Sequence, residues 1–139
     1  MAIWQYSIHL VPNEEVASRD AVEDVDWWKY RQLDKNGVEV FAPLLPKTKS
    51  WCKEIIQFGD LESNCIEFME EDNRIVSVQA RFDLRIDYRP FISLLVAYAD
   101  ENNCCFIDSE CNVIPASYEP LLDAVRKYPS FRDFLEMLK

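Results

Sequence analysis

Arg81, Asp83, Arg85 and Asp87 occupy every second position opposite an unbroken apolar set, Val76, Val78, Ala80, Phe82, Leu84 and Ile86. On an extended strand such charges share one face, successive ones roughly 7 Å apart. Each then reaches an oppositely charged residue on a neighbouring strand, and Glu67 in the preceding apolar run is the natural counterpart for the arginines. Exposed ion pairs of this kind contribute only about 0–1 kcal/mol each. The row is therefore a solvated sheet face, a charged docking surface, or the wall of a polar pocket under a covering loop, and Arg81, Asp83 and Arg85 are its candidate binding residues.

Other catalytic chemistries find little support. His9 is the sole imidazole, so any Ser-His or Cys-His system must use it. The chain has no Gly-x-Ser-x-Gly elbow, and none of Cys52, Cys65, Cys104, Cys105 and Cys111 lies in a CxxC spacing. Two isolated glycines provide neither a Walker loop nor a dinucleotide fingerprint, so no cofactor is expected, and with only His9 beside scattered thiols no metal is expected. The five cysteines read as reduced, mostly buried thiols.

The acidic residues are patterned. Six fall between Asp60 and Asp72 with no basic residue among them, and Asp60, Glu62, Glu70, Glu71 and Asp72 occupy the expected turns. With a formal net charge of -10, the chain repels nucleic acid phosphates and anionic membranes and suits a basic protein partner. Trp27, Trp28 and Trp51 lie in irregular segments, where tryptophan anchors an interface, lines a pocket or covers a core edge.

The elements that must position these groups follow from periodicity. "WQYSIHL" alternates as a half-buried strand ending near Pro12. Asn13, followed by Glu14 and Glu15, starts a stretch of short helices or loop reaching Leu33, and Asp34 to Ser50 reads mainly as loop. "CKEIIQFG", "NCIEFMEE" and "RIVSVQARFDLRID", joined by short polar links, predict an antiparallel meander. A helix opens at Pro90, "CCFID" and "CNVIP" predict one or two further strands, and Ser117 and Pro129 start two more helices, the last carrying Phe131, Phe134, Leu135 and Leu138 at helical spacing. The expectation is a single α+β domain over residues 1–139, a mainly antiparallel sheet with helices packed on one face. The N-terminus lacks a secretory pattern and no apolar run approaches a membrane span, so a cytoplasmic location is expected.

The string "HLVP", "DVDWW", "FGD", "IEFMEEDNRIVSVQARFDLR" and the closing "FRDFLEML" resembles small bacterial proteins of unassigned activity. In size, charge and fold type the chain is also similar to acidic immunity proteins of bacterial toxin systems. That resemblance implies a non-enzymatic inhibitor whose carboxylates occlude a basic toxin domain. Two alternatives stay open. One is a small-molecule-binding or enzymatic domain with a pocket between the charged sheet face and Trp27, Trp28 and Trp51; the other is a housekeeping protein that forms a homodimer through a sheet edge or an apolar helix.

Overall fold

The computed structural model describes residues 3–17 and 26–138, the side chains of residues 17, 130, 131 and 134 excepted. Residues 18–25 of the expected helical stretch, and the Phe131 and Phe134 side chains expected to anchor the last helix, lie outside the described residues. The elements run β1 (Gln5–Pro12), α1 (Asn13–Ala17), a 3-10 helix (Lys35–Phe41), β2 (Lys47–Thr48), β3 (Ile55–Gly59), β4 (Cys65–Glu71) and β5 (Arg74–Asp83). They continue with α2 (Arg89–Glu101), β6 (Cys104–Asp108), β7 (Val113–Ile114), α3 (Tyr118–Lys127) and α4 (Pro129–Met137).

The strands form one antiparallel sheet in the order β2-β3-β4-β5-β1-β6-β7, so the fold is α+β as the alternation predicts. Its inner face carries Tyr6, Ile8, Leu10, Phe58, Phe68, Phe82 and Phe106 against Phe91, Leu95 and Tyr98 of α2 and Leu121 and Val125 of α3. No described helix is long and apolar enough to cross a membrane.

Three local differences from the sequence-based expectation have physical causes. Lys35–Phe41 is a 3-10 helix rather than loop. Asp34 caps it by accepting the Asn36 N–H at 2.9 Å, and the helix drives Phe41 into the core, 5.0 Å from the Tyr98 ring and 6.0 Å from that of Phe68. Apolar anchoring of this depth overrides a loop-like composition; truncating such a phenylalanine to alanine costs about 3–5 kcal/mol. Second, the alternation of β5 is broken by a bulge. Met69 pairs with Ser77 but Glu70 pairs with Ile75, so Val76 is the extra residue. The slip turns Ile75 into the core and leaves Val76 half-buried.

Third, β5 stops at Asp83 instead of running on to Asp87. The Asp83 carboxylate accepts the Arg85 N–H at 2.9 Å, a local side-chain turn that replaces the next ladder bond. Leu84 is still buried, whereas Ile86 is exposed. Likewise β3 begins at Ile55 rather than Cys52, and the two-residue edge strand β2 is too short to leave a period-two signal.

Candidate functional site

The face of the sheet opposite α2 is polar, and register lines its side chains into rows. Thr48, Gln57, Glu67, Gln79, His9, Ile107 and Val113 stand in register across all seven strands. The adjacent row is Gly59, Cys65, Arg81 and Ser7. Arg81 reaches Glu67 at 3.6 Å, the cross-strand pair that the charge spacing predicts. Gln79 donates to the Ser7 hydroxyl at 2.7 Å. Glu67 is only 8% exposed, and Arg81 Nε is buried without a partner among the described residues. Burial lowers the His9 pKa below its usual value and pushes that of the Cys65 thiol up to about 12, although the Arg81 charge opposes the latter shift.

At the β1 side of this face Val11, Cys105 and Ile107 form a small apolar cluster covered by Val16 and Trp27. The Trp28 ring is buried in the main core, donates to Leu10 O at 3.2 Å and lies under the Arg31 guanidinium at 5.6 Å. Trp51 is elsewhere: it precedes β3, which β4 and β5 separate from β1, and is 72% exposed. The three tryptophans therefore do not share a pocket, which corrects the expected wall of Trp27, Trp28 and Trp51.

Asp83 and Arg85 also take places other than an open docking row. Asp83 is 1% exposed and accepts from Arg85 Nε and Nη2, both at 3.0 Å, and from the Ser63 hydroxyl at 2.9 Å. Burial alone would raise its pKa; the Arg85 and Ser63 hydrogen bonds, with the Arg85 charge, hold it below the ordinary carboxylate value. Arg85 stacks 4.1 Å from the Trp4 ring centre and donates to Glu62 O at 3.1 Å. Both residues fasten the turn between β3 and β4. Their sequence spacing shows the charges but not that they pair with each other.

That turn, residues 60–64, is tied at every carbonyl from Leu61 to Ser63. Trp4 Nε1 donates to Glu62 O, and Gln5 Nε2 to Leu61 O and Ser63 O, all at 2.9 Å. The Asp83 N–H is accepted by Asn64 Oδ1 at 2.6 Å. Asp60 closes its own small turn by accepting the Glu62 N–H at 2.9 Å. The side chain of Asp60 is exposed and that of Glu62 is also exposed on this fixed frame. At the other end of β4, Glu70 is paired with Lys35 at 2.5 Å, while Glu71 and Asp72 are exposed. The two acidic groups thus stand at opposite ends of the meander and do not merge into one patch.

Beside the Asp60 turn lies an open groove of about 440 Å³ at the β2 edge. Its lining comprises residues 48–51 together with Gln57, Gly59, Asp60 and Leu61. Gln57 is 5% exposed; its Nε2 donates to Gly59 O at 2.9 Å, and its Oε1 is buried without a partner among the described residues. The Thr48 hydroxyl donates to the same carbonyl at 2.9 Å. Gly59 has φ +88°, a left-handed value that brings its Cα against the Asn64 carbonyl. Sequence reasoning finds Trp51 and Asp60 but misses Gln57 and Thr48. The polar Gln57 within "IIQFG" is the available signal, an amide in an otherwise apolar strand.

Compared with protein-family models, with curated protein sequences and with solved structures, the chain matches none. The likeness to small bacterial proteins accordingly rests on sequence patterns alone, and that to immunity proteins on size, charge and fold type.

Proposed function

We propose that the protein is a non-enzymatic binding protein that holds a basic protein partner at the Asp60–Asn64 end of its sheet, and that it works as an immunity-type inhibitor in the cytoplasm. The observation that carries this reading is the fixed turn itself: the side chains of Trp4, Gln5 and Arg85 secure its backbone, so Asp60 and Glu62 are presented without loop-ordering cost, next to the exposed Trp51. Carboxylates steer a basic partner and set its register, while a tryptophan supplies the anchoring contact. A net charge of -10 extends that steering beyond the contact surface. Five free thiols suit a reducing compartment.

The test is a pull-down with the tagged chain from native lysate at low and high salt, repeated with Asp60→Lys combined with Glu62→Lys. Recovery of one basic protein that is released by salt and lost with the double variant supports the reading. Full retention by the double variant moves the interface away from this turn, and recovery of nothing basic removes the partner class.

A further inference from the structure

We infer that the groove between Trp51 and Asp60 is a guanidinium site, which takes an arginine side chain of the basic partner; the arginine chemistry rests on the groove, and only its source rests on the proposed function. The argument is one of leftover hydrogen-bonding capacity. Gln57 has spent an amide N–H on Gly59 O, and Thr48 has spent its hydroxyl hydrogen on the same carbonyl. An oxygen in place of Gln57 Nε2 would face that carbonyl lone pair to lone pair, so the amide orientation is fixed. Both side chains keep acceptor capacity, and the Gln57 Oε1 is buried without a partner among the described residues.

Asp60 adds a carboxylate. Its Oδ1 already accepts the Glu62 N–H, which leaves its other oxygen to accept from a ligand. Behind Gln57 the next residue of the row, Glu67, is already paired with Arg81 at 3.6 Å, so the carboxylate left for a ligand is that of Asp60. A ligand that satisfies this set must donate at several points and carry positive charge.

Trp51 narrows the choice between cations. Its exposed indole is part of the lining, and a planar guanidinium that stacks on an indole keeps its edge N–H groups free to donate to the acceptors. A lysine ammonium is a point charge with three donors and makes no such planar stack. Lys49, also in the lining, is exposed, and its ammonium opposes any cation. The Ser50 hydroxyl, which accepts the Cys52 N–H at 3.2 Å, keeps its hydrogen to donate elsewhere.

The experiment titrates the full chain with the capped peptide acetyl-Ala-Arg-Ala-amide and follows the tryptophan indole and glutamine amide signals by two-dimensional NMR. The lysine and citrulline analogues and free arginine are titrated in parallel. The Trp51 indole, identified by its loss in Trp51→Leu, and the Gln57 amide should move, with arginine bound more tightly than lysine and citrulline not bound. Trp51→Leu, a change on an exposed side chain, should weaken the arginine peptide about tenfold, and Lys49→Ala should strengthen it. Gln57→Leu should also weaken it; because that position is buried, the surface variant carries the test if the Gln57 variant fails to fold.

Equal binding of the citrulline peptide, or unchanged Trp51 and Gln57 signals, overturns the guanidinium site. Tighter binding of free arginine than of the capped peptide overturns the partner as its source. Peptide binding together with a pull-down that yields nothing basic supports the site and counts against the partner reading, so the two fail separately.

Discussion

The segment 60–64 that joins β3 to β4 and the pair Asp72–Asn73 that joins β4 to β5 are both acidic hairpin connections on one strand, and they are held by different physics. Asp72 and Asn73 have φ of 52° and 64°, the left-handed pair of a two-residue turn whose twist matches the strands it links. That turn needs little beyond its own backbone, and Asn73 and Glu70 have side chains to spare for Lys35. The 60–64 turn is longer and depends on Trp4, Gln5, Asp83 and Arg85, residues remote in sequence. A locally encoded turn tolerates change around it, whereas one fastened from elsewhere is rigid only while every fastening holds.

The sharpest way to break the second kind is at the residue that enters it. A Cβ on Gly59 would sit 2.2 Å from Asn64 O, a backbone atom with no room to retreat, and φ +88° adds its own strain. Gly59→Ala should cost at least about 3 kcal/mol in chemical denaturation. Gly37, in the 3-10 helix, serves as the control because a Cβ there would meet nothing within 4 Å; Gly37→Ala should be neutral or stabilising by up to about 1 kcal/mol.

The next fastening is Asp83. Asp83→Ala removes the acceptor of Ser63 and Arg85 from a site that is 1% exposed, and should cost about 2–3 kcal/mol. The pH dependence has a fixed sign. The folded pKa lies below the unfolded value of 3.8, so on acidification the unfolded chain takes up the proton first. The contribution is complete above 3.8 and is lost as pH falls through the lower folded value. Urea midpoints of the native chain should therefore drop below about pH 4 more steeply than those of Asp83→Asn.

The locally encoded turn responds to a smaller lever. Asn73→Ala places an ordinary residue in the left-handed region and should cost about 1–2 kcal/mol, while Asn73→Gly should lie within about 0.5 kcal/mol of the native chain. Equal losses from alanine and glycine would mean that the bond from Lys35 to Asn73, and not the backbone, holds this turn.

The same contrast explains what the sequence reveals. The strands of the meander, their order and the Asp72–Asn73 link follow from alternation and turn residues within a few positions of one another. So does the Arg81–Glu67 pair, because spacing on one strand fixes reach to the next. The clasp around 60–64 is illegible, since nothing local to Gln5 or Trp4 says that they will donate to carbonyls nearly sixty residues away. Asp83 misleads for the same reason: its period-two position is identical to that of an exposed charge, and what buries it is the cover of the 60–64 turn and Arg85, with which it bonds. In the groove, Trp51 and Asp60 are visible by type, and Gln57 requires knowledge of which donor it has already spent.

The smallest stability effect sharpens the comparison at the level of binding. Glu62→Lys and Glu71→Lys both alter an exposed side chain outside any ion pair of the described residues, and each should leave stability within about 0.5 kcal/mol. Both shift the net charge by the same amount, so steering by the whole molecule is reduced equally. Charges farther from the contact than about 8 Å are largely screened at physiological salt. A difference in association rate between the variants is then a local effect of where the partner docks. Stopped-flow association with a basic protein recovered in the pull-down should be slowed by Glu62→Lys well beyond Glu71→Lys, and the gap should close as salt is raised. Equal slowing would mean that the acidic turns act only through total charge, and a larger effect from Glu71→Lys would move recognition to the turn that the backbone holds by itself.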